Sequence, residues 1–403
     1  MGTLTRLSIV TLFAAASAGR AGAQTLRPVS LHDAVDATLT RGSRVALARA
    51  DSSAARAGVV GAHEWLNPTV SLQYTRDTPH YHGFLEIPID YPWLRGPRIA
   101  GAEHAAQSAG YTFALEQAAA RFDAETSYVR ALAAVAHDSL SRVNRKAADS
   151  LRVLAVLRRE AGDASDLDVE LATVNAGQAA NVAASDSLGM IAAVLGLQDV
   201  MGMRSDSVGI ALADTLAVPA ATGAPADIGA TLSVAAAERS VQAEEAAYRV
   251  ARRSAWAAPS ISLGLEGGDP TQPYVLPAAG MLVPIPLFNR NSGASGVEAA
   301  NLDRARAKLA LARRQSAAEI AGAVRAQDAA LERVRRDQTL LASATRVAAM
   351  SLTAFGEGAQ GLSAVMEAQR SARDALAQYI DDVATANADA AAVRFFTSTA
   401  TGG

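Results

Sequence analysis

Apolar residues spaced three and four positions apart predict that helices make up most of this chain. Between about Arg98 and Glu160 the sequence has no proline, and Tyr111, Leu115 and Phe122 keep the helical spacing. The same pattern returns between about Gly296 and Phe355. At 1.5 Å per residue, each run would form a rod of ~90 Å. Rods of this length cross a compartment as coiled coils and do not enclose an active site.

Each predicted rod ends in a glycine-rich turn. Residues 159–165 read Arg-Glu-Ala-Gly-Asp-Ala-Ser, and residues 355–361 read Phe-Gly-Glu-Gly-Ala-Gln-Gly. Glycine after a helix favours the left-handed conformation that terminates it. A shorter helix is predicted to return from each turn, the first to about Leu197 and the second to about Arg394. The sequence therefore predicts two helical hairpins with tips near residues 162 and 358.

A period of two replaces the helical period after Pro68 and again after Pro259. Apolar residues then alternate with polar ones, which predicts strands at about residues 68–77, 83–92, 259–268 and 279–288. The return strand of the second pair is expected to carry Met281, Val283, Ile285 and Leu287 on one face. Strands of about ten residues have the length that a tilted strand needs to cross a bilayer.

Half-buried strands of a soluble sheet would show the same alternation. However, the two hairpins are separated by ~170 mainly helical residues, and isolated hairpins are marginal in water. In lipid every backbone polar group must be paired, so membrane strands must close into a barrel. Four strands are too few, and an eight-stranded barrel is filled by its own side chains. Three copies would supply twelve strands, which predicts a homotrimer.

The second half of the chain repeats the first. Residues 65–72 (WLNPTVSL) return as residues 256–263 (WAAPSISL), an offset of 191 positions. Residues 85–89 match 281–285, 102–106 match 297–300, and 162–172 match 358–368, with Val169 aligned on Val365. A duplication is the simplest account. The predicted units are residues 24–201 and 227–396, each with a helix, two strands and a long helical hairpin.

Other segments have simpler patterns. Ser30 and Asp33 predict a capping box for a helix that runs to about Trp65. Residues 202–226, rich in Asp, Ser, Gly and Pro, are expected to link the halves as a collar outside the rods. Residues 397–403 are expected to be disordered. Residues 1–23 combine Arg6, a short apolar run and small residues before Gln24, as in a cleaved signal peptide.

Composition narrows the location and the partners. The chain of 403 residues has no cysteine, so it has neither disulfides, nor thiolate metal sites, nor a lipidated N-terminal cysteine. The formal net charge is −3, and without Arg6 and Arg20 it becomes about −5, a balance that does not attract nucleic acid. These features favour an exported protein of a Gram-negative envelope.

Candidate chemistry is sparse. His80 and His82 form the only close histidine pair, in the predicted loop between strands, and they lack a neighbouring carboxylate cluster. At most they predict a weak surface metal site. Motifs for phosphate binding or nucleophilic catalysis are absent from the sequence. We therefore expect a protein without enzymatic activity, cofactor or structural metal.

The residues resemble the outer membrane efflux protein family, the TolC-like trimeric exit ducts, over nearly the whole mature chain. The resemblance rests on the junctions at Pro68 and Pro259, the Gly-x-x-Ser-x-x-Asp-like tip at Gly162 and its echo at Gly358. It also rests on residues 285–291 (IPLFNRN), which look most like members paired with heavy-metal pumps of the cobalt-zinc-cadmium or copper-silver kind.

The resemblance implies a fold that is mainly α with membrane β. A trimeric 12-stranded outer membrane barrel would continue into a periplasmic helical tunnel. It also implies that the hairpin tips contact a periplasmic adaptor protein, which binds an inner-membrane pump of the resistance-nodulation-division class. The tip residues would be Gly162, Asp163, Ala164, Ser165, Gly358, Ala359, Gln360 and Gly361.

The family pattern also implies gate residues. It puts Glu367 and Asp168 at acidic gate positions, while Ala364 stands where another carboxylate would be expected. Phe355 and Gln360 replace the Tyr and Arg that would bridge to Asp168, so the closure of this tunnel must differ. Three Glu367 side chains in a ring would repel one another and attract cations. The simpler interpretation is that Glu367 and Asp168 are solvated carboxylates near the starts of their helices.

Two alternatives stay open on the sequence. A type I secretion duct or a drug-efflux duct would have the same fold. A periplasmic coiled-coil adaptor without a pore is an alternative of another class, although it would be expected to show one hairpin flanked by other β domains.

Overall fold

The computed structural model describes residues 26–204, 206–222, 231–255 and 259–399. The signal-peptide prediction, Trp256 and residues 400–403 of the predicted tail lie outside the described residues, as do residues 205 and 223–226 of the predicted linker. The described helices are α1 Leu31–Arg41, α2 Ser43–His63, α3 Pro92–Glu160, α4 Asp166–Val200, α5 Leu232–Arg253, α6 Ser292–Gly356 and α7 Leu362–Phe396. The described strands are β1 Arg27–Val29, β2 Thr69–Tyr74, β3 Tyr81–Pro88, β4 Ile210–Leu212, β5 Ser260–Gly267 and β6 Leu276–Leu282.

Two long helical hairpins form the body, which confirms the predicted mainly helical architecture. Helix α3 has 69 residues and pairs with α4, and α6 has 65 residues and pairs with α7. At 1.5 Å per residue, α3 and α6 are each about 100 Å long. Alanine fills nearly half of the buried positions in the helices, including Ala124, Ala131 and Ala386. Small side chains let the helix backbones approach closely, so the body is long and thin.

Helix α3 starts six residues before the predicted Arg98 and contains Pro97. Proline lacks the N–H that would bond the carbonyl four residues earlier, here that of Trp93. The Nη1 group of Arg253, at the end of α5, donates to that carbonyl at 3.0 Å. The second repeat therefore satisfies the backbone group that Pro97 leaves open, and the helix continues through the proline.

The four long strands form one antiparallel sheet in the order β2-β3-β5-β6. The two hairpins meet through β3 and β5, where Leu85 lies opposite Leu263 and His82 opposite Glu266. This arrangement confirms that the hairpins of the two repeats combine. The strands have six to eight residues, fewer than the predicted ten.

The last strand differs most from the prediction. Strand β6 ends at Leu282, and residues 283–288 are not a strand, although Val283, Ile285 and Leu287 alternate with other residues. Pro284 and Pro286 have no N–H to donate to a ladder, so pairing stops there. The alternation in this segment reflects exposed apolar side chains on an irregular backbone.

The N-terminal helix predicted to run to about Trp65 is two helices. Gly42 adopts an extended conformation (φ −61°, ψ 129°) between α1 and α2, and α2 ends at His63. The Ser30 and Asp33 capping box is present at the start of α1. A Cβ at Gly42 would lie 2.4 Å from the carbonyl oxygen of Thr38, so the bend needs a glycine.

A small parallel sheet that the sequence pattern did not predict joins the chain start to the linker. Strand β1 pairs with β4, with Val29 opposite Leu212. The Tyr128 hydroxyl of α3 lies 2.9 Å from the Val29 carbonyl oxygen and 2.9 Å from the Asp214 carboxylate. Burial, and then Asp214, raise the pKa of Tyr128 to about 12. This sheet closes the apolar cluster around Leu197.

The described part of the linker packs against the second helical hairpin. The Nδ2 group of Asn387 in α7 donates to the Ala217 carbonyl at 2.8 Å, and the Nε2 group of Gln327 in α6 donates to Thr222 Oγ1 at 2.8 Å. The tail prediction was wrong for the described residues 397–399. Leu232 donates to the carbonyl of Ser398, and Thr399 bridges to Thr231, so this segment is fixed on the start of α5.

Candidate functional site

One face of the sheet is apolar and exposed. Successive rows across the strands place Val70 beside Leu85 and Leu263, and Ile87 beside Ile261 and Met281. Several of these side chains are strongly exposed, including Leu72 at 83% and Leu263 at 47%. A soluble sheet would bury such a face, because exposed apolar area of this extent is unfavourable in water.

The opposite face of the sheet carries the polar residues, together with Phe84 and Leu282. Gln73, His82 and Glu266 form one row, and Glu86 and Ser262 lie in another. The Ser260 hydroxyl donates to the Glu86 carboxylate. Strands with one exposed apolar face and polar residues on the other are the pattern of barrel strands that separate lipid from an aqueous lumen.

His80 lies in the turn between β2 and β3, as predicted, whereas His82 is the second residue of β3 and not part of the loop. His82 Nε2 is 3.1 Å from Thr75 Oγ1, and its Nδ1 is 3.4 Å from the Glu266 carboxylate. His80 Nδ1 is 3.2 Å from the Thr75 carbonyl oxygen. Among the described residues, no group of three or more potential ligands could hold a metal ion. These contacts hold the turn together.

Both predicted junction prolines lie immediately before a strand. Pro68 precedes β2 and Pro259 precedes β5, and the Pro259 carbonyl accepts from Ile89 at 2.8 Å. Next to this contact, the nearly buried carboxylate of Asp90 binds Arg98 Nη2 at 2.6 Å. A paired, hydrogen-bonded carboxylate can be buried at this position. The junctions thereby fix how the sheet sits on the helices.

The two hairpin tips have the same backbone turn. Gly162 and Gly358 have φ values of +85° and +75°. Asp163 donates to the Arg158 carbonyl, and Ala359 donates to the Ala354 carbonyl, both at 2.8 Å. This six-to-one bond is the Schellman motif, which needs a left-handed residue before it. The similar sequences around residues 162 and 358 therefore form the same backbone turn.

The first tip continues into a capped helix. Ser165 caps α4, since its hydroxyl oxygen accepts from the Asp168 N–H at 3.2 Å. In return, the Asp168 carboxylate accepts from the Ser165 N–H at 3.0 Å and from its hydroxyl at 2.8 Å. These backbone and side-chain bonds from Ser165 lower the pKa of Asp168. Within the described residues, Asp168 forms no hydrogen bond or ion pair with the second hairpin.

The second tip starts its return helix differently. Gly361 is the N-cap of α7 and provides no side-chain cap. Gln360 instead accepts a hydrogen bond from the Ser351 hydroxyl at 3.0 Å, within the same hairpin. Glu367 is exposed on α7, and in the described part of the chain it has no hydrogen-bond or ion-pair partner. In the single chain its carboxylate is therefore exposed and unpaired among the described residues.

An apolar cluster joins the two tips. It consists of Ala155, Ala172, Phe355, Leu362 and Val365, with one or two residues from each of the four long helices. Phe355 is 5% exposed. The Arg158 guanidinium lies over the Phe355 ring, 4.1 Å from its centroid, and donates to the Phe355 carbonyl at 3.0 Å. Sequence reasoning missed Arg158, because no local pattern links residues 158 and 355.

Farther from the tips, polar contacts connect α3 to α7. His137 Nε2 lies 2.8 Å from the Asp381 carboxylate, and Arg394 pairs with Glu125. In the second hairpin, the Arg333 guanidinium binds Asp382 at 2.9 Å. Burial raises the pKa of Asp382, but hydrogen bonds from Gln378 and Arg333 outweigh it, so the net shift is downward. The two hairpins of a chain are thus held side by side along their length.

No protein family model and no curated protein sequence matches this chain. Solved structures do match its fold. A membrane protein from Pseudomonas aeruginosa is 17% identical with a TM-score of 0.77, covering 91% of this chain and 93% of that one. The CmeC outer membrane channel of Campylobacter jejuni is 14% identical with a TM-score of 0.77, covering 91% and 85%. The outer membrane protein VceC of Vibrio cholerae is 14% identical with a TM-score of 0.76, covering 92% and 96%. Because these similarities cover both the helical body and the four-stranded sheet, this chain has the fold of bacterial outer membrane channel proteins.

Proposed function

We propose that this chain is a passive exit duct in the outer membrane of a Gram-negative bacterium, with its helices in the periplasm. One observation carries the proposal: the sheet exposes a continuous apolar face, while the polar residues of its strands lie on the opposite face. Lipid is the environment in which this distribution is favourable. The likeness in fold to CmeC and VceC, which are an outer membrane channel and an outer membrane protein, supports the same location. The duct performs no covalent chemistry.

The working form in this proposal is a homotrimer. Strands β2 and β6 are the edges of the sheet and each leaves one side of its backbone unpaired in a single chain. Edges are not tolerated in lipid. If β6 of one copy pairs with β2 of the next, three copies close twelve strands around a lumen.

The helical body also presents a surface for neighbouring copies. Helix α4 exposes Leu167, Val174, Val182 and Leu188, the first and last at 66% and 69%. By length and composition alone α4 could cross a membrane, yet it packs along α3 as the return arm of a periplasmic hairpin. Packing between copies in a tunnel would cover this apolar surface.

The proposed partners follow from the resemblance of the sequence to the outer membrane efflux protein family. The exposed turns at residues 162–165 and 358–361 are the adaptor contacts, and the adaptor connects the duct to an inner-membrane pump of the resistance-nodulation-division class. Glu367 and Asp168 are the proposed gate residues, with the free carboxylate of Glu367 the stronger candidate. Heavy-metal cations are the proposed substrates, on the basis of the run at residues 285–291.

A drug-efflux or type I secretion duct is the alternative with the same fold. Disruption of the gene should distinguish them: a metal duct predicts sensitivity to zinc, cobalt, cadmium, copper or silver without sensitivity to drugs. The alternative of another class, a pore-less adaptor, is disfavoured because the described chain combines two hairpins with a four-stranded sheet.

Fractionation and bilayer recording test the proposal. The protein should sediment with the outer membrane, run as a heat-modifiable trimer, and form channels in a planar bilayer. Recovery as a soluble periplasmic monomer would overturn both the location and the duct.

A further inference from the structure

Helix α6 ends without a positive charge of its own. Its last turn has no basic residue, and Glu357 is its C-cap. The carbonyl groups at a helix C-terminus carry a partial negative charge that a cation stabilises. Helix α3 of the first repeat, in contrast, ends with two arginines, Arg158 and Arg159.

These two arginines contact different hairpins. Arg159 pairs with Asp166 at the start of α4, so it stays within the first hairpin. Arg158 reaches α6, where it stacks on the Phe355 ring and donates to the Phe355 carbonyl. Arg158 thus supplies the cation that the end of α6 lacks, in addition to a cation–π contact.

We propose that Arg158 is the positioning residue that holds the two hairpin tips of one chain in a fixed arrangement at the inner end of the duct. It acts through Phe355, whose ring is fixed in the apolar cluster with Val365 and Leu362. In the resembling family, a Tyr and an Arg bridge to the acid at the position of Asp168, but Phe355 and Gln360 stand in their places here. The Asp168 carboxylate instead accepts hydrogen bonds from Ser165, and Gln360 accepts one from Ser351. The Arg158–Phe355 contact links the two hairpins without Asp168 or Gln360.

The consequence for conduction rests on the proposed duct function. If the inner end opens by separation of the tips, the opening must break the stacking and the hydrogen bond of Arg158. Losing a contact of this class should raise the open fraction of the channel by about five- to tenfold. An adaptor that docks on the tips would open the duct by competing with this contact.

Tip separation can be measured without any assumption about conduction. The chain has no native cysteine, so Asp163→Cys and Ala359→Cys place two spin labels at exposed tip positions without background labelling. Pulsed electron resonance on full-length protein, diluted with unlabelled chain, then reports the distance between the tips. Arg158→Met keeps the length of the side chain but removes the charge and the donors. It should broaden and lengthen the distance distribution.

Three further variants make the result specific. Arg159→Met removes the same charge one residue away and should leave the distribution unchanged. Phe355→Leu removes the stacking but keeps the carbonyl acceptor, so it should reproduce part of the effect of Arg158→Met. The double variant should match Arg158→Met alone. Arg158→Lys keeps the cation and should restore the distribution in part.

The outcomes separate this inference from the proposed function. Unchanged tip distances in Arg158→Met, or equal changes in Arg158→Met and Arg159→Met, would overturn the role of Arg158 whether or not the protein conducts. Altered distances in Arg158→Met alone would support the role. If the distances change but no variant, nor the native chain, forms channels, then the duct function fails while the tie between the hairpins stands.

Discussion

At the scale of the residue, Gly162 and Gly358 decide where the two rods turn. Both have positive φ, and a Cβ added at either would meet nothing within 4 Å. The cost of a side chain there is therefore conformational and not steric. For a residue other than glycine, the left-handed conformation costs about 1 to 2 kcal/mol.

Gly162→Ala should accordingly lower the local stability of the first tip by about 1 to 2 kcal/mol, as measured by hydrogen exchange at residues 158–168. Gly177→Ala is the matched control, because Gly177 is an exposed glycine inside α4 with space around it. Alanine there should stabilise the helix by about 0.5 to 1 kcal/mol. Effects of the same sign at both positions would contradict the assignment.

The capping box at the first tip gives a pH dependence with a definite sign. Bonds from Ser165 lower the pKa of Asp168 in the folded state below its ordinary value of 3.8. A lowered pKa contributes stability that is present above 3.8 and is lost as the pH falls through the folded value. The start of α4 should therefore loosen at acid pH.

Two variants test that dependence by hydrogen exchange of α4 between neutral and acid pH. Asp168→Asn should remove the acid-sensitive part of the protection. Ser165→Ala should cost about 1 kcal/mol at neutral pH through loss of the cap. Acid sensitivity that persists in Asp168→Asn would assign it to another group.

Sequence alone was sufficient for residues whose partners are close in the chain. The turn glycines and the Ser30 and Asp33 capping box were predicted because their partners are at most five positions away. The Ser165 and Asp168 capping box has the same spacing but was not predicted. Arg158 was not readable, since its partner lies 197 positions along the chain. The neighbours of Glu367 in a trimer are beyond a single chain altogether, so its gate role stays a prediction.

At the scale of the element, the sheet is defined by which face each residue occupies. Leu263 and Ser262 are consecutive in β5, so their side chains point to opposite faces. Leu263 belongs to the apolar row with Leu85, and Ser262 lies in the polar row with Glu86. In the proposed barrel, Leu263 would face lipid and Ser262 would face the lumen.

An arginine scan of this pair should be strongly asymmetric. Leu263→Arg should destabilise the assembled barrel by about 2 to 4 kcal/mol, as expected for a cation facing the middle of a bilayer. Ser262→Arg should have a much smaller effect, because a lumen admits water. The effect of each substitution can be measured from the yield and the melting temperature of the heat-modifiable trimer. Equal tolerance of the two substitutions would remove the lipid-facing assignment.

The limits of element prediction have physical causes. The alternation in β2, β3 and β5 was visible because each strand has one apolar face. The end of β6 was misplaced, since Val283 and Ile285 keep the period while Pro284 and Pro286 prevent pairing. The three-residue strands β1 and β4 are too short to show a period, and their pairing joins distant segments.

At the scale of the whole molecule, the two repeats act as one elongated unit. The ties between α3 and α7, at Glu125 and His137, and the tip contact of Arg158 follow one another down the first rod. At 1.5 Å per residue, these three positions extend over about 50 Å. A trimer of such units would bring three copies of Glu367 to the same height.

Charge at that height should govern ion selection. Glu367→Gln removes the charge at nearly constant volume and should lower the cation preference of single channels several-fold at low salt, with a smaller effect at high salt because of screening. Glu367→Asp should retain the preference. Reversal potentials in asymmetric salt are the measurement, and identical values for all three proteins would exclude Glu367 from the throat.

The pairing of β1 with β4 determines when the small sheet can form during folding, because it joins two segments that are far apart in the chain. Leu31, just after β1, donates to Asp214, just after β4, across 183 positions of the chain. A polypeptide secreted from its amino end must hold its first segment unpaired until the far segment has been translocated. Closing so large a loop is entropically costly, and the α3–α4 arm can form well before it. We expect quality-control proteases to act in that interval, so mutations in this small sheet should reduce abundance more than they impair the molecules that mature.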